Sequence, residues 1–146
     1  MDAPRLDDQF CFALHATTRA VVQAYRPFLE PLGITYTQYL TLLVLWERDG
    51  LLVGEIGDRL EMDSGTLTPL LKRLEADGLV ERRRQEDDQR QVRIHLSAKG
   101  RALKRKASRI PQEMVCRYAG GDPRSIANLV HLRDSLNLLR RGLVDG

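Results

Sequence analysis

The segment from Asp63 to Gly78 has the pattern of a short amphipathic helix with a marked beginning and end. Asp63 or Ser64 can cap the first backbone N–H groups with a side-chain oxygen, and Gly78 can terminate the helix. Apolar residues recur at helical spacing along one face, at Leu67, Leu70, Leu71 and Leu74. The residues predicted to contact a ligand on the other face are Ser64, Thr66, Thr68, Lys72 and Arg73. Hydroxyls followed by cations suit a helix in a DNA major groove, although a surface helix with solvated charges has the same composition.

A shorter helix, predicted over residues 53–61, precedes this segment and is joined to it by Met62 and Asp63. Two short helices joined by a small turn form a helix-turn-helix, in which the second helix contacts bases. Farther along, residues 92–96 alternate strictly between apolar and polar side chains, which predicts a half-buried strand. Together with residues 79–83, this strand would form a two-stranded wing attached to the helix-turn-helix.

The tip of the predicted wing is rich in arginine and also contains acidic residues. The wing arginines are Arg82, Arg83, Arg84, Arg90 and Arg93. Arginine at such a tip can enter a minor groove or bind phosphate, and we predict DNA contacts for Arg84 and Arg90. We expect Asp88 to orient Arg90 through an ion pair, because phosphate repels a carboxylate. A hairpin loop kept soluble by mixed charge is the alternative interpretation.

Three motifs in this order, DSGTLTPLLKRLEADGLVERR, DDQR and VRIHLSAKG, resemble the winged helix-turn-helix of the MarR family of bacterial transcriptional repressors. The resemblance covers residues 6–144. It implies a mainly α-helical fold with a small antiparallel β-wing, in a single domain over residues 1–146. Residues 35–96 would form the DNA-binding region, and residues 6–34 and 97–144 the dimerisation helices. The implied partners are double-stranded operator DNA and a second copy of the chain.

Composition narrows the class of protein. The 146 residues fit one domain, and 42% hydrophobic residues are typical of a globular chain. A net charge of +3 favours DNA binding only weakly, so the local arginine clusters matter more, because counterion release depends on local charge. The sequence contains no apolar run near the ~20 residues of a membrane span and no secretion signal, so we expect a cytoplasmic protein without membrane contact. It also lacks nucleotide-binding glycine loops, and the i, i+4 spacing of Cys11 and His15 could hold only one edge of a metal. Because the three His and two Cys are scattered, we expect no cofactor and no metal.

The remaining sequence predicts four more helices. The first covers residues 7–26 and is loosened or ended by Pro27 and Pro31. The second covers 36–48, is capped by Thr35 and is apolar enough to be buried. The others cover 97–118 and 123–142. Because the terminal helices are more apolar than one small domain can cover, we expect them to pair with a second copy. Two-fold symmetry would then place two reading helices on the order of 34 Å apart.

Cys11 lies in the segment DDQFCFAL, which is followed by AYRP and PLGITYTQYL. These segments resemble the family branch that contains the organic-hydroperoxide-sensing repressors. The resemblance implies that Cys11 is the sensor, that Tyr25 and Tyr36 hydrogen-bond to it, and that organic hydroperoxides are the inducer. Cys11 and Tyr25 are fourteen residues apart on one predicted helix, or ~21 Å at the usual rise per residue. If Tyr25 supports Cys11, it must therefore come from the other subunit.

Cys116 stands where the two-cysteine members of this branch carry their second cysteine. The resemblance implies that oxidised Cys11 condenses with Cys116 of the partner subunit, and that the resulting disulfide ends repression. If Cys116 is an unreactive filler, a small thiol such as glutathione would cap Cys11 instead.

Two other functional classes stay open. One is a repressor of the same fold that a small phenolic ligand releases from DNA, and the other is a thiol peroxidase. A DNA-reading helix would be surplus to a peroxidase, so we expect a regulator rather than an enzyme.

Overall fold

The computed structural model describes residues 4–88 and 90–144. It divides into two compact units, Met1–Ser108 and Arg109–Gly146. Within the described residues, no helix combines the length and the apolar character needed to cross a membrane.

The first unit is helical, with one small antiparallel sheet. Its elements are α1 (Phe10–Leu29), α2 (Tyr36–Glu47), β1 (Leu51–Leu52), α3 (Val53–Leu60), α4 (Ser64–Ala76), β2 (Val80–Arg84), β3 (Val92–Leu96) and α5 (Ala98–Ala107), with 3-10 turns at Leu6–Asp8 and Glu30–Leu32. The strands lie in the order β1-β3-β2. The predicted fold class, mainly α with a small β-wing, is confirmed. The two-residue strand β1 was not predicted, because it is too short to show a period.

Helix α2 lies at the centre of this unit. Thr35 caps it by accepting a hydrogen bond from the backbone N–H of Gln38, whose own side chain accepts one from the Thr35 N–H. Leu42 and Leu45 are fully buried, and α2 contacts α1, α3, α4 and α5. The prediction of a buried helix over residues 36–48 is therefore confirmed, because an apolar surface all round a helix needs neighbours on every side.

The first helix differs from the prediction at both ends. It begins at Phe10 and continues to Leu29, so Pro27 lies inside its last turn instead of ending it. Proline removes one backbone hydrogen bond, here the one to the Gln23 carbonyl. Leu29 is only 3% exposed, and its burial holds the last turn in place.

The predicted helix over residues 97–118 is in fact two helices, and the prediction was wrong here. Ser97 caps α5 through the Gly100 backbone N–H, but α5 ends at Ala107 and the next helix begins at Ile110. Pro111 explains the break, because its ring clashes with the carbonyl four residues earlier, which belongs to Ala107.

The second unit consists of α6 (Ile110–Ala119) and α7 (Pro123–Val144), which pack against each other. Helix α7 contains the predicted range 123–142. In α6, Ile110, Met114 and Ala119 are buried, but no residue of α7 is buried among those described. Large apolar side chains of α7 are exposed, namely Ile126, Val130, Leu132, Leu138, Leu139, Leu143 and Val144.

Candidate nucleic-acid interface and cysteine site

Helix α4 begins at a well-formed cap. The Asp63 carboxylate accepts a hydrogen bond of 2.8 Å from the Thr66 backbone N–H, so Asp63 rather than Ser64 is the capping residue. This bond, the Thr66 side chain and, to a lesser extent, the Gly65 backbone hold the pKa of Asp63 below its usual value. Because Asp63 satisfies the end of the helix, the Ser64 hydroxyl is left exposed to solvent.

The two faces of α4 divide as the sequence predicts except at Leu70, which was placed on the apolar face but is only half-buried. Leu67, Leu71 and Leu74 are at most 1% exposed and attach the helix to the core. On the other side, Ser64, Thr66, Lys72 and Arg73 are exposed and Thr68 is half-buried. The apolar face thus fixes the helix, and the other face presents mainly polar and cationic side chains to solvent.

Helix α3 packs closely against the start of α4. A Cβ at Gly57 would lie 2.9 Å from the Met62 carbonyl oxygen, so only glycine allows this approach. Glu61 ends α3 in a left-handed conformation with φ of 53°. The connection is therefore as short as the predicted helix-turn-helix requires.

The wing is formed by β2 and β3, which pair in antiparallel register from Val80 opposite Leu96 to Arg84 opposite Val92. Arg84 lies at the end of β2, Arg90 lies in the connecting loop, and both are exposed. Arg83 pairs with Glu81, at 2.7 Å. The other two predicted wing arginines, Arg82 and Arg93, are half-buried.

Asp88 orders the wing loop through the backbone. Its carboxylate accepts a hydrogen bond of 3.0 Å from the Arg90 backbone N–H, and its carbonyl accepts one of 2.9 Å from Gln91. The predicted Asp88–Arg90 ion pair is not formed among the described residues. Asp88 therefore orients Arg90 by shaping the turn, because an aspartate bonds readily to a backbone N–H two residues on. Gln89 lies outside the described residues.

The base of the wing is held by residues that the sequence analysis did not single out. Asp49 accepts hydrogen bonds from the backbone N–H groups of Gly50 and Leu96, and Arg93 donates to the Gly50 carbonyl. Arg93 thus reaches the turn before β1, and the Gln85 side chain, just after β2, also lies against its guanidinium. No local pattern marks Asp49, because its partner Leu96 is 47 residues away.

Cys11 lies in the first turn of α1, and its side chain is exposed. Leu6, Phe10 and Phe12 around it are also exposed, at 60%, 61% and 37%. Helix α1 is continuous from Phe10 to Leu29, so the ~21 Å separation of Cys11 and Tyr25 within one chain remains as expected.

The two tyrosines named by the resemblance lie in contact. The ring centroids of Tyr25 and Tyr36 are 4.9 Å apart, although the residues belong to different helices. Tyr39 extends the cluster, 5.8 Å from Tyr25, and Trp46 follows 6.3 Å from Tyr39. Tyr39 was not predicted to join this cluster, and its only signal in the sequence is its place one helical turn after Tyr36.

Burial moves the pKa values of these phenols further above neutral pH. It raises the pKa of Tyr25 and of Tyr36, and it raises the pKa of Tyr39 to about 12 together with the neighbouring phenols. A protonated phenol can donate a hydrogen bond to an anion. At neutral pH the Tyr25 and Tyr36 hydroxyls are therefore donors.

A cavity of about 240 Å³ opens beside Tyr36. Its lining is Val22, Gln23, Arg26, Leu29, Glu30, Ile34, Thr35 and Tyr36. Arg26 and Glu30 form an exposed ion pair at this place. The cavity is mostly apolar and adjoins the tyrosine pair.

Cys116 belongs to the second unit, on α6, and its side chain is exposed. Neither cysteine forms a disulfide within the chain. Across the described residues, no group of His, Cys, Asp and Glu side chains is arranged to hold a metal ion.

Known proteins resemble this chain over most of its length. The SarA/Rot family of transcriptional regulators matches residues 23–107. The organic hydroperoxide resistance transcriptional regulator of Bacillus subtilis (strain 168) is 50% identical over 110 residues, 75% of each protein. The HTH-type transcriptional regulator TtmR of Methylorubrum extorquens (strain PA1) is 50% identical over 139 residues, 93% of this chain and 71% of TtmR.

Among solved structures, the fold is similar to AbfR, a protein of Staphylococcus epidermidis. Reduced AbfR bound to DNA superposes with a TM-score of 0.77 and 33% identity over 97% of both chains. Disulfide-formed AbfR superposes with a TM-score of 0.70 and 34% identity, over 97% of this chain and 94% of AbfR. The chain therefore belongs to the MarR family of winged helix-turn-helix transcriptional regulators, in the branch of the organic hydroperoxide resistance regulators.

Proposed function

We propose that this chain is a homodimeric repressor that binds operator DNA and is released when an organic hydroperoxide oxidises Cys11. The observation that supports the sensing part is the Tyr25–Tyr36 contact, because it places the ring centroids of two phenols 4.9 Å apart. The names of the Bacillus relative and of the two AbfR structures support the same combination of DNA binding and redox chemistry.

The exposed face of α4 and the wing tip supply the DNA contacts of this proposal. Ser64, Thr66 and Thr68 offer short hydrogen-bonding groups at the start of the helix, where a recognition helix approaches base edges. Lys72 and Arg73 follow farther along the helix, and Arg84 and Arg90 supply cations from the wing. Such cations bind phosphate or enter the minor groove.

Replacing Arg90 tests the wing contact. We expect Arg90→Ala to weaken operator binding roughly tenfold and to lower the slope of log affinity against log salt by about one, because one cation no longer displaces counterions. Fluorescence anisotropy at several salt concentrations measures both quantities. Arg26→Ala, which removes the same charge from α1, is the control and should leave the slope unchanged. Unchanged affinity in Arg90→Ala would remove Arg90 from the interface.

The homodimer is proposed from apolar surface that the chain leaves exposed. Helix α7 has 22 residues and buries none of them, and Leu138, Leu143 and Val144 are at least 70% exposed. Several exposed apolar side chains on one helix are typical of an interface. A second copy of the chain would cover it and would pair two reading helices with two operator half-sites.

The sensing site is proposed to form between two subunits. Cys11 cannot reach Tyr25 of its own chain along a straight helix of ~21 Å. If two α1 helices pack antiparallel, Cys11 lies against Tyr25 and Tyr36 of the partner subunit. The exposed Phe10 and Phe12 would be covered by the same contact. Hydrogen bonds from the two phenols would favour the thiolate, which is the reactive form.

Removing one phenol hydroxyl tests this arrangement. We expect Tyr25→Phe to slow the oxidation of Cys11 by cumene hydroperoxide by at least about tenfold, because a hydrogen bond to a charged group contributes on the order of 1.5–3 kcal/mol. Stopped-flow measurement of thiol loss in the reduced protein gives the rate. Tyr118→Phe, on α6, is the matched control. A rate equal to that of the wild type would exclude Tyr25 from the sensor.

The proposed chemistry has two steps. The Cys11 thiolate attacks the O–O bond of the hydroperoxide, so the sulfur is oxidised to a sulfenic acid and the peroxide leaves as an alcohol after taking up a proton. The Cys116 thiol of the partner subunit then attacks this sulfur, forming the disulfide and releasing water. In the one-cysteine alternative, a small thiol takes the place of Cys116 in the second step.

A gel shift with DNA from upstream of the chain's own gene tests the proposal as a whole. The protein is treated with cumene hydroperoxide and then dithiothreitol, beside a non-reducing gel. We expect release from DNA with a reducible, dimer-sized band. Release without this band would favour capping by a small thiol. Retention on DNA would contradict peroxide sensing and would favour a small-ligand inducer, for which the cavity of about 240 Å³ beside Tyr36 offers space. Turnover of many equivalents of peroxide would favour a thiol peroxidase.

A further inference from the structure

The turn between α2 and β1 binds the base of the wing through the Asp49 carboxylate. One carboxylate oxygen of Asp49 accepts hydrogen bonds from the backbone N–H groups of Gly50, at 2.9 Å, and Leu96, at 2.7 Å. The other oxygen accepts one from Arg101 of α5, at 3.2 Å. A single side chain therefore joins the end of β3, the start of α5 and the turn itself.

Gly50 makes a second attachment to the same strand. Its carbonyl accepts a hydrogen bond of 2.8 Å from the Arg93 guanidinium. Its φ of +74° is left-handed, and a Cβ there would lie 2.9 Å from the His95 imidazole. The turn can thus approach β3 this closely only with glycine at position 50.

These bonds compensate for a very short strand. Strand β1 has two residues, which pair only with Arg93 and Ile94 of β3. On the side of β3 that faces β1, the Asp49 carboxylate binds the Leu96 N–H and so takes the place of a third β1 residue. Since β2 pairs along the other side of β3, the position of β3 determines where Arg84 and the loop with Arg90 lie.

We propose that Asp49 is a positioning residue for operator binding. Its carboxylate fixes β3 relative to the helix-turn-helix, so that the wing arginines reach the DNA while α4 occupies the major groove. Asp49 itself does not touch the DNA. This inference rests on the proposed operator binding by the wing.

Whether the loss of the Asp49 carboxylate raises or lowers DNA affinity distinguishes a positioning role from a purely electrostatic one. Removing a carboxylate close to DNA should raise affinity, because less negative charge faces the phosphates. Loss of the wing contact should lower affinity instead. We expect Asp49→Ala to bind the upstream duplex about tenfold more weakly, with a salt slope reduced by about one, as in Arg90→Ala. Asp49→Asn keeps an oxygen for both backbone N–H groups and should bind within about twofold of the wild type.

The matched control is Glu47→Ala. Glu47 lies two residues before Asp49 at the end of α2 and pairs with Arg59 at the surface. Its removal changes the net charge equally and should leave binding unchanged or slightly tighter. Equal weakening in Glu47→Ala and Asp49→Ala would overturn the proposal.

A double variant decides whether Asp49 acts through the wing. If it does, Asp49→Ala adds little to the loss of operator affinity already caused by Arg90→Ala, because the effects of substitutions at coupled residues are not additive. A full additional tenfold loss in Asp49→Ala/Arg90→Ala would contradict the proposal and would indicate a general loss of structure. Thermal unfolding is measured for each variant. If Asp49→Ala does not fold, Asp49→Ser is used, since serine suits turns and is too short to reach Leu96.

The outcomes also separate this inference from the function on which it rests. If Arg90→Ala binds the duplex as the wild type does, the wing contact itself fails. If Arg90→Ala weakens binding and Asp49→Ala does not, only the positioning role of Asp49 fails.

Discussion

Cys11→Ser is expected to remain bound to operator DNA in the presence of an organic hydroperoxide that releases the wild-type protein. A serine hydroxyl cannot be oxidised to the sulfenic acid that starts the proposed sequence, so the response should be lost completely rather than weakened. Affinity before oxidation should change by no more than about twofold, because Cys11 is an exposed residue replaced by one of similar size. Fluorescence anisotropy with labelled upstream duplex, before and after cumene hydroperoxide, measures both quantities.

Cys116→Ser is the companion variant, since it removes the other thiol and keeps the proposed sensor. It should still lose thiol at Cys11 on treatment, and dimedone should trap the sulfenic acid that can no longer form a disulfide. Release of Cys11→Ser from DNA by hydroperoxide would contradict the assignment. If dimedone then labels Cys116, this second cysteine is the sensor. If no sulfenic acid is trapped, a non-cysteine mechanism remains.

The parts of the fold that follow from the sequence are those with local causes. Thr35, Asp63 and Ser97 each cap a helix by accepting a bond from a backbone N–H three residues later. Three of the four leucines in the apolar stripe of α4 are buried, and so are Ile94 and Leu96 of β3. A capping residue and the regular spacing of apolar residues are both local features of the sequence. The helix-turn-helix and the wing can therefore be predicted with no knowledge of tertiary contacts.

Proline effects show where local reasoning fails. Pro27 and Pro111 have the same chemistry, yet α1 continues through the first and the helix over 97–118 is broken by the second. The difference comes from the surroundings, since Leu29 is buried just after Pro27 and holds the final turn. The apolar spacing of Leu103, Ala107, Ile110 and Met114 continues across the break, so periodicity alone predicts one helix where there are two.

The functional site depends even more on distant residues. The Tyr25–Tyr36 contact could be anticipated only from the family resemblance, because the two lie on separate helices. Tyr39 joins them through packing, and Asp49 reaches Leu96 across 47 residues. The proposed Cys11 environment requires a second subunit. Such contacts produce no periodic pattern in the sequence, because they depend on the tertiary packing of helices and strands.

The second large effect is expected from Gly100→Ala, at the start of α5. A Cβ at this position would lie 2.1 Å from the Leu79 carbonyl oxygen and 3.2 Å from its carbon. The same Leu79 oxygen accepts a hydrogen bond from the Ser97 N–H, and the Gly100 carbonyl accepts one from the Trp46 indole. Neither backbone segment can move away without breaking these bonds. We therefore expect alanine to lower the free energy of unfolding by about 3 kcal/mol and the unfolding midpoint by roughly 10 °C.

Gly54→Ala provides the matched control, since Gly54 lies in α3 and a Cβ there would meet no atom within 4 Å. In a helix, replacing an unobstructed glycine by alanine stabilises the fold by roughly 0.5–1 kcal/mol, because the unfolded chain has less backbone freedom to lose. The same substitution should thus have opposite signs at positions 54 and 100, measured by thermal unfolding under identical conditions. Since intrinsic helix preference favours alanine at both, destabilisation at Gly100 isolates the clash with Leu79. If Gly100→Ala is as stable as the wild type, α5 does not pack directly on the backbone at the base of the wing.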